Sequence, residues 1–168
     1  TLTSNQRVVA LVNEAANIII EGFEITHSTV KAKPLVVHID GWGGDSVKNI
    51  NLRNNIIHDS YNNDLLKINN GAEHITVECN MFYNQGDSDE HIDVNSVANI
   101  TISDNVLFND FTKSDRNITK KSSSFIVIKD SNGDDDRFLG AESIKVMRNV
   151  FLNWQGSHGQ GFVSVGED

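Results

Sequence analysis

Five stretches of this chain, residues 17–28, 49–60, 74–85, 99–110 and 143–154, align with one another without a gap. Each carries an apolar residue at its second, fourth and ninth positions: Ile18, Ile20 and Ile25; Ile50, Leu52 and Ile57; Ile75, Val77 and Phe82; Ile100, Ile102 and Leu107; Ile144, Val146 and Phe151. The first two of each set alternate as in a strand with one buried face. The third lies past a tight turn and opens another short extended piece. The seventh position is Asn55, Asn80, Asn105 and Asn149 in four stretches and Phe23 in the first. Asn tolerates the left-handed backbone of a sharp turn. Amides stacked at the strand spacing of about 4.8 Å can also hydrogen-bond along the stack as a ladder.

A second strand follows each stretch: Val37-His38-Ile39, Leu66-Lys67-Ile68, Ile92-Asp93-Val94, Ile126-Val127-Ile128 and Val163-Ser164-Val165. Two or three short strands per turn, turns of about 25 residues and one Asn at one phase predict a parallel β-helix. An antiparallel sandwich also alternates, but it gives no reason for the same residue at the same phase. The chain reads as one domain over residues 1–168, and residues 7–18 as the second strand of a coil whose first half is missing. Neither end offers a cap, so the expectation is a segment of a longer solenoid with open rungs free to pair with other chains. About 19 extra residues leave the rung between Asn99 and Ser143, giving long loops at 110–124 and 130–140. Such loops build the functional wall of a rigid scaffold.

Composition narrows the partners. A net charge of −9 argues against nucleic acid and acidic membranes, and no apolar run is long enough for membrane insertion. Cys79 is the single cysteine, so no internal disulfide forms.

Stacking converts sequence positions into columns. The outward residue of the second strand reads His38, Lys67, Asp93, Val127, Ser164, flanked by Val36, Leu65, His91, Phe125, Phe162 on one side and Asp40, Asn69, Asn95, Lys129, Gly166 on the other. Lys67 and Asp93 then lie one rung apart, either as a solvated cross-rung ion pair or, with His91, as an acid–base cluster. The turns entering this strand add Asp64, Asp87, Asp89 and Glu90. Adjacent carboxylates bind a cation, share a proton or stay apart in water. Ca²⁺ suits several oxygen ligands, with Asp87, Asp89 and Glu90 as the candidate set. Residues 130–136 (DSNGDDD) lack the Glu and the flanking helices of an EF-hand and read as a solvated acidic loop or a calcium loop. Tyr83, Phe108 and Trp154 gather after the first strand, either as a sugar-stacking rim or as packing that anchors the long loop. Of the two Asn-Ile-Thr sequons, Asn99 lies in a strand and Asn117 in the loop, where a secreted eukaryotic chain would accept a glycan.

The repeat N-I-x-I-x-x-N-x-F resembles that of the right-handed parallel β-helix proteins, the broad group containing pectate lyases and polygalacturonases. The resemblance implies an all-β, right-handed parallel β-helix of about five coils. NND (62–64), GDSD (86–89) and SHGQGFVSVG (157–166) follow the order of the polygalacturonase motifs, which would make Asp64 and Asp89 the acid–base carboxylates and His158 their helper. Ser88 splits the paired aspartates, an extra coil precedes His158 and no Arg-x-Lys pair follows. A lyase reading would instead use Lys67 or Lys129 as base beside a calcium-bound uronate. The functional expectation is a secreted or cell-surface domain that binds a polysaccharide, or cleaves it by hydrolysis or elimination, through Asp64, Lys67, Asp89, His91 and Asp93, with Tyr83, Phe108, Trp154 and Lys129 contacting substrate. Its rival is a non-catalytic structural or adhesive stalk.

Overall fold

A computed structural model describes residues 1–42, 47–86, 90–113, 123–130, 140–154 and 161–166. These residues form three parallel sheets of stacked strands. Sheet A contains β1 (Leu2–Ser4), β4 (Glu24–His27), β7 (Ile56–His58), β10 (Met81–Tyr83), β13 (Val106–Phe108) and β16 (Val150–Leu152). Sheet B contains β2 (Val9–Leu11), β5 (Val37–Asp40), β8 (Leu66–Asn69), β11 (Ile92–Asn95), β14 (Ile126–Lys129) and β17 (Val163–Val165). Sheet C contains β3 (Ala16–Glu21), β6 (Lys48–Arg53), β9 (Glu73–Glu78), β12 (Ala98–Ser103) and β15 (Lys145–Met147). The chain visits A, B and C in unbroken rotation, and each strand pairs in parallel with the strand one circuit away. Among the described residues the only helix is a 3₁₀ turn at Phe111–Lys113.

The periodic apolar positions become the interior. Ile50, Ile75 and Ile100 pair in one column, Leu52, Val77 and Ile102 in a second, and Ile57, Phe82 and Leu107 in a third, all buried. Val47, Ala72 and Val97 close the corner before sheet C, where only small or slim side chains are buried.

The corner between sheets C and A departs from the expectation for Asn. The left-handed residue is the sixth of each repeat, with φ of 77° at Gly22, 54° at Asn54, 56° at Cys79, 60° at Asp104 and 56° at Arg148. The seventh residue instead turns its amide inward, and the ladder forms there. Nδ2 of Asn55 donates to Oδ1 of Asn80 at 3.1 Å, Asn80 to Asn105 at 3.1 Å, and Asn105 to Asn149 at 3.0 Å. Each Oδ1 also accepts the backbone N–H of the preceding seventh residue, including that of Phe23. The second amide hydrogen goes to a carbonyl of the preceding circuit, Leu52 O in the case of Asn80. Buried amides thus have their donors and acceptors filled, the condition under which polar groups are tolerated in a core.

Two further differences matter. The first circuit is fuller than the sequence suggested, because Leu2–Ser4 pairs with Ile25, Thr26 and His27. A three-residue strand with one apolar side chain carries too little periodicity to be legible. The corner before sheet B also turns two successive side chains inward. The N–H groups of His91 and Ile92 converge on the carbonyl of Phe125 at 3.1 and 3.0 Å. Val36, Leu65, His91 and Phe125 are therefore buried instead of flanking the outward column, and Phe162 stacks on Phe125 with ring centroids 5.9 Å apart.

Candidate functional site

Doubling the inward pair at this corner leaves Asp64 and Lys67 on the outer side of one circuit. Glu90 and Asp93 take the same places one circuit later, in register because Leu66 pairs with Ile92 and Lys67 with Asp93. The four side chains form a two-by-two patch at the entrance to sheet B. Lys67 Nζ lies 2.5 Å from Asp93 Oδ2, with side-chain exposures of 22% and 3%. Oδ1 of Asp93 is buried and has no hydrogen-bond partner among the described residues. Asp64 is buried, and its Oδ1 accepts the Glu90 N–H at 3.0 Å. Oxygens of Asp64, Glu90 and Asp93 all lie within 4.8 Å of one another.

This is not a solvated face, and the electrostatics follow from that. Burial pushes the Asp64 carboxyl well above the usual carboxylate range, and the charges of Asp93 and Glu90 push the same way against the opposing pull of Lys67. Burial also raises Glu90, opposed by side-chain hydrogen bonds with Ser123 and Asp64. Two carboxyls whose pKa values are both raised therefore stand beside a Lys67–Asp93 ion pair. On the far side of Lys67, His38 pairs in register with it; burial lowers its imidazole pKa, and Nε2 contacts Oδ1 of Asn69 at 2.9 Å.

His91 does not join this group. It lies in the core, its Nε2 2.9 Å from the carbonyl of Phe108 and its ring edge-on to Phe125 at 4.6 Å. Asp87, Asp89 and His158 lie outside the described residues, as do Asn117 and most of the acidic 130–136 loop. Three carboxylates at this spacing have the oxygen donors a cation uses, but the Lys67 ammonium already supplies positive charge at Asp93.

The aromatic residues are arranged as packing. Tyr83 stacks on His58 at 4.6 Å and on Phe108 at 5.0 Å, within 22° of parallel, so both faces of the Tyr83 ring are covered by neighbouring circuits and only its edge meets solvent. Trp154 packs against the core and donates Nε1–H to the carbonyl of Ser123 at 2.9 Å, tying the end of the long loop to sheet A. Among the described residues, Lys129 is an expected substrate contact that stands beside an open site. It lines a cleft of about 350 Å³ with Asp130, Gly140, Ala141 and Gly166. Asn69 and Asn95, which pair in register, connect this cleft's column to the four-residue patch.

The sequence reading grouped Asp64 and Glu90 with the other carboxylates of these turns but did not single them out as a directly hydrogen-bonded pair. The signal was present, since both stand two residues before a sheet B strand, but the doubled inward corner that aligns them has no counterpart in strict alternation. No protein-family model matches the chain, no curated protein is similar to it and no solved structure matches it.

Proposed function

We infer that this is a right-handed parallel β-helix domain of about five coils, secreted or displayed at the cell surface, that binds a polysaccharide along the outer face of sheet B. One observation carries the reading. On sheet B the half-buried Lys67 and Glu90 stand in line with half-buried Lys129, the buried amides of Asn69 and Asn95 lie between them, and Lys129 and Asp130 open onto a cleft also lined by Ile128, Ala141 and Val165. The outer face of sheet A, by contrast, exposes Ile56, Met81, Val150 and Leu152. Half-buried carboxylate and ammonium groups of this kind exchange hydrogen bonds with sugar hydroxyls, and a cleft of about 350 Å³ falls within the size range of small-ligand sites.

Binding is favoured over cleavage. Asp64 and Asp93 are enclosed, so neither reaches a glycosidic oxygen directly, and Glu90, Lys67 and Lys129 are the half-buried groups a glycan meets first. The test is a glycan array of the protein and of Lys129→Met, each with calcium and with chelator. Hits that weaken in the variant support the face, and calcium dependence would bring in the carboxylates as ion ligands. Silence in every arm transfers the reading to a rigid stalk, for which the regular Asn ladder is sufficient.

A further inference from the structure

We propose that Lys67 and Asp93 become joined by an isopeptide bond, Lys67 Nζ to Asp93 Cγ, formed by the protein itself across neighbouring strands of sheet B with the Asp64–Glu90 pair as proton carrier. The inference does not rest on the glycan reading.

Three requirements of amide formation meet at this point. The first is proximity. Register holds Lys67 opposite Asp93, and Nζ is in direct contact with a carboxyl oxygen, one bond from the carbon it would attack. The second is desolvation. An ammonium is no nucleophile and a carboxylate is no electrophile, so the reaction needs a proton to pass from one to the other inside an enclosed pair. Asp93 is almost wholly enclosed between Lys67 and Val127, and Oδ1 receives no hydrogen bond from a described residue that would hold the anion. The third is a group that gives and takes protons. Oxygens of Asp64 and Glu90 lie within 4.8 Å of one on Asp93, and the Glu90 N–H anchors Asp64 in that place.

The step balances without any other reagent. Proton transfer within the ion pair gives Lys67–NH₂ and Asp93–COOH. The nitrogen lone pair attacks Cγ, forming the C–N bond and a tetrahedral centre. The Asp64–Glu90 pair protonates the departing hydroxyl and recovers a proton from nitrogen. The C–O bond breaks, one water leaves, and the carboxyl pair returns to its starting state. His38, buried on the neighbouring strand, and Val127 flank the product in its column.

The experiment is intact-mass measurement of the purified full chain, followed by tryptic mapping. The expected wild-type mass is one water below that of the sequence, and the map contains a single branched peptide holding Lys67 and Asp93. Lys67→Arg keeps the charge pair but cannot form the amide, and should have its full sequence mass. Asp64→Asn and Glu90→Gln should slow or abolish the water loss while circular dichroism stays unchanged. A wild-type chain at full sequence mass overturns the proposal. So does water loss that persists in Lys67→Arg, which would mark a succinimide elsewhere. Should Lys67→Arg fail to fold, the branched peptide alone decides: its absence from the wild-type map is a negative. Cross-linking of both carboxyl variants at the wild-type rate would remove the Asp64–Glu90 pair from the chemistry.

Discussion

The backbone N–H of Glu90 donates to Oδ1 of Asp64 at 3.0 Å across one circuit, so an anchoring hydrogen bond and a carboxyl–carboxyl contact occupy the same corner. Such a bond favours the anion of Asp64, yet burial outweighs it and pushes the carboxyl well above the usual carboxylate range.

A dependence of stability on pH follows. Asp64 and Glu90 are raised in the folded chain, so between their unfolded pKa of about 4 and their folded values the native state holds more protons than the unfolded one. Stability from these groups is greatest at low pH and is lost as pH rises through the folded pKa. His38, lowered by burial, has the opposite sign and acts only below about 6.5. Melting temperature should therefore fall as pH rises above the ordinary carboxylate range, and Asp64→Asn should flatten that fall. Equal slopes for the two proteins in thermal melts would show that Asp64 is ionised throughout.

Asn80→Leu removes the middle of the ladder. The Asn55 backbone N–H and amide lose their acceptor, and the Asn105 Oδ1 and the Leu52 carbonyl each lose a donor. Buried unsatisfied groups cost about 1–3 kcal/mol each, so the expected change is a drop in melting temperature on the order of 10 °C. Glycan binding should be spared. An unchanged melt would contradict the ladder's role.

Two glycines separate sterics from backbone conformation. A Cβ on Gly86 would lie 2.4 Å from the backbone N and O of Asn63, next to Asp64. Gly86→Ala should cost about 1–3 kcal/mol and disturb the patch. Gly22 has φ of 77° and open space around it. Asn54 adopts the same left-handed turn one circuit on, so Gly22→Asn should be nearly neutral in a denaturant titration. Equal losses at both sites would mean that the close approach at Gly86 is relieved by a small shift.

Tyr83→Ala opens a gap between His58 and Phe108. It should lower stability by about 1–3 kcal/mol and leave any glycan hit on the array in place. Loss of glycan binding without loss of stability would restore Tyr83 to the role of sugar platform.

Much of the fold was legible because periodicity reports which side chains face inward. The columns of Ile50, Leu52 and Ile57 and the Lys67–Asp93 pairing are arithmetic once the repeat is aligned. The corners were less legible. Asn at the seventh position satisfies either a left-handed turn or an amide ladder, and which one wins depends on where the backbone bends; Cys79 and Arg148 at the sixth position, types that seldom adopt positive φ, gave no hint of the bend. His91 was misplaced for a related reason. A corner that turns two neighbours inward breaks the alternation on which an outward assignment rests, and Phe125 at the equivalent place was the available clue. Asp64 and Glu90 became partners only through that same corner.

The circuit carrying about 19 extra residues closes its ladder as tightly as its neighbours do, since Asn105 meets Asn149 at 3.0 Å across 44 positions of sequence and Asn80 meets Asn105 at 3.1 Å across 25. Length has been added at the edges of one circuit without moving the columns on either side. A scaffold of this kind separates novelty from stability: new chain can be spliced in between sheets A and B or between B and C and varied freely there, while the interior continues to be read one rung at a time.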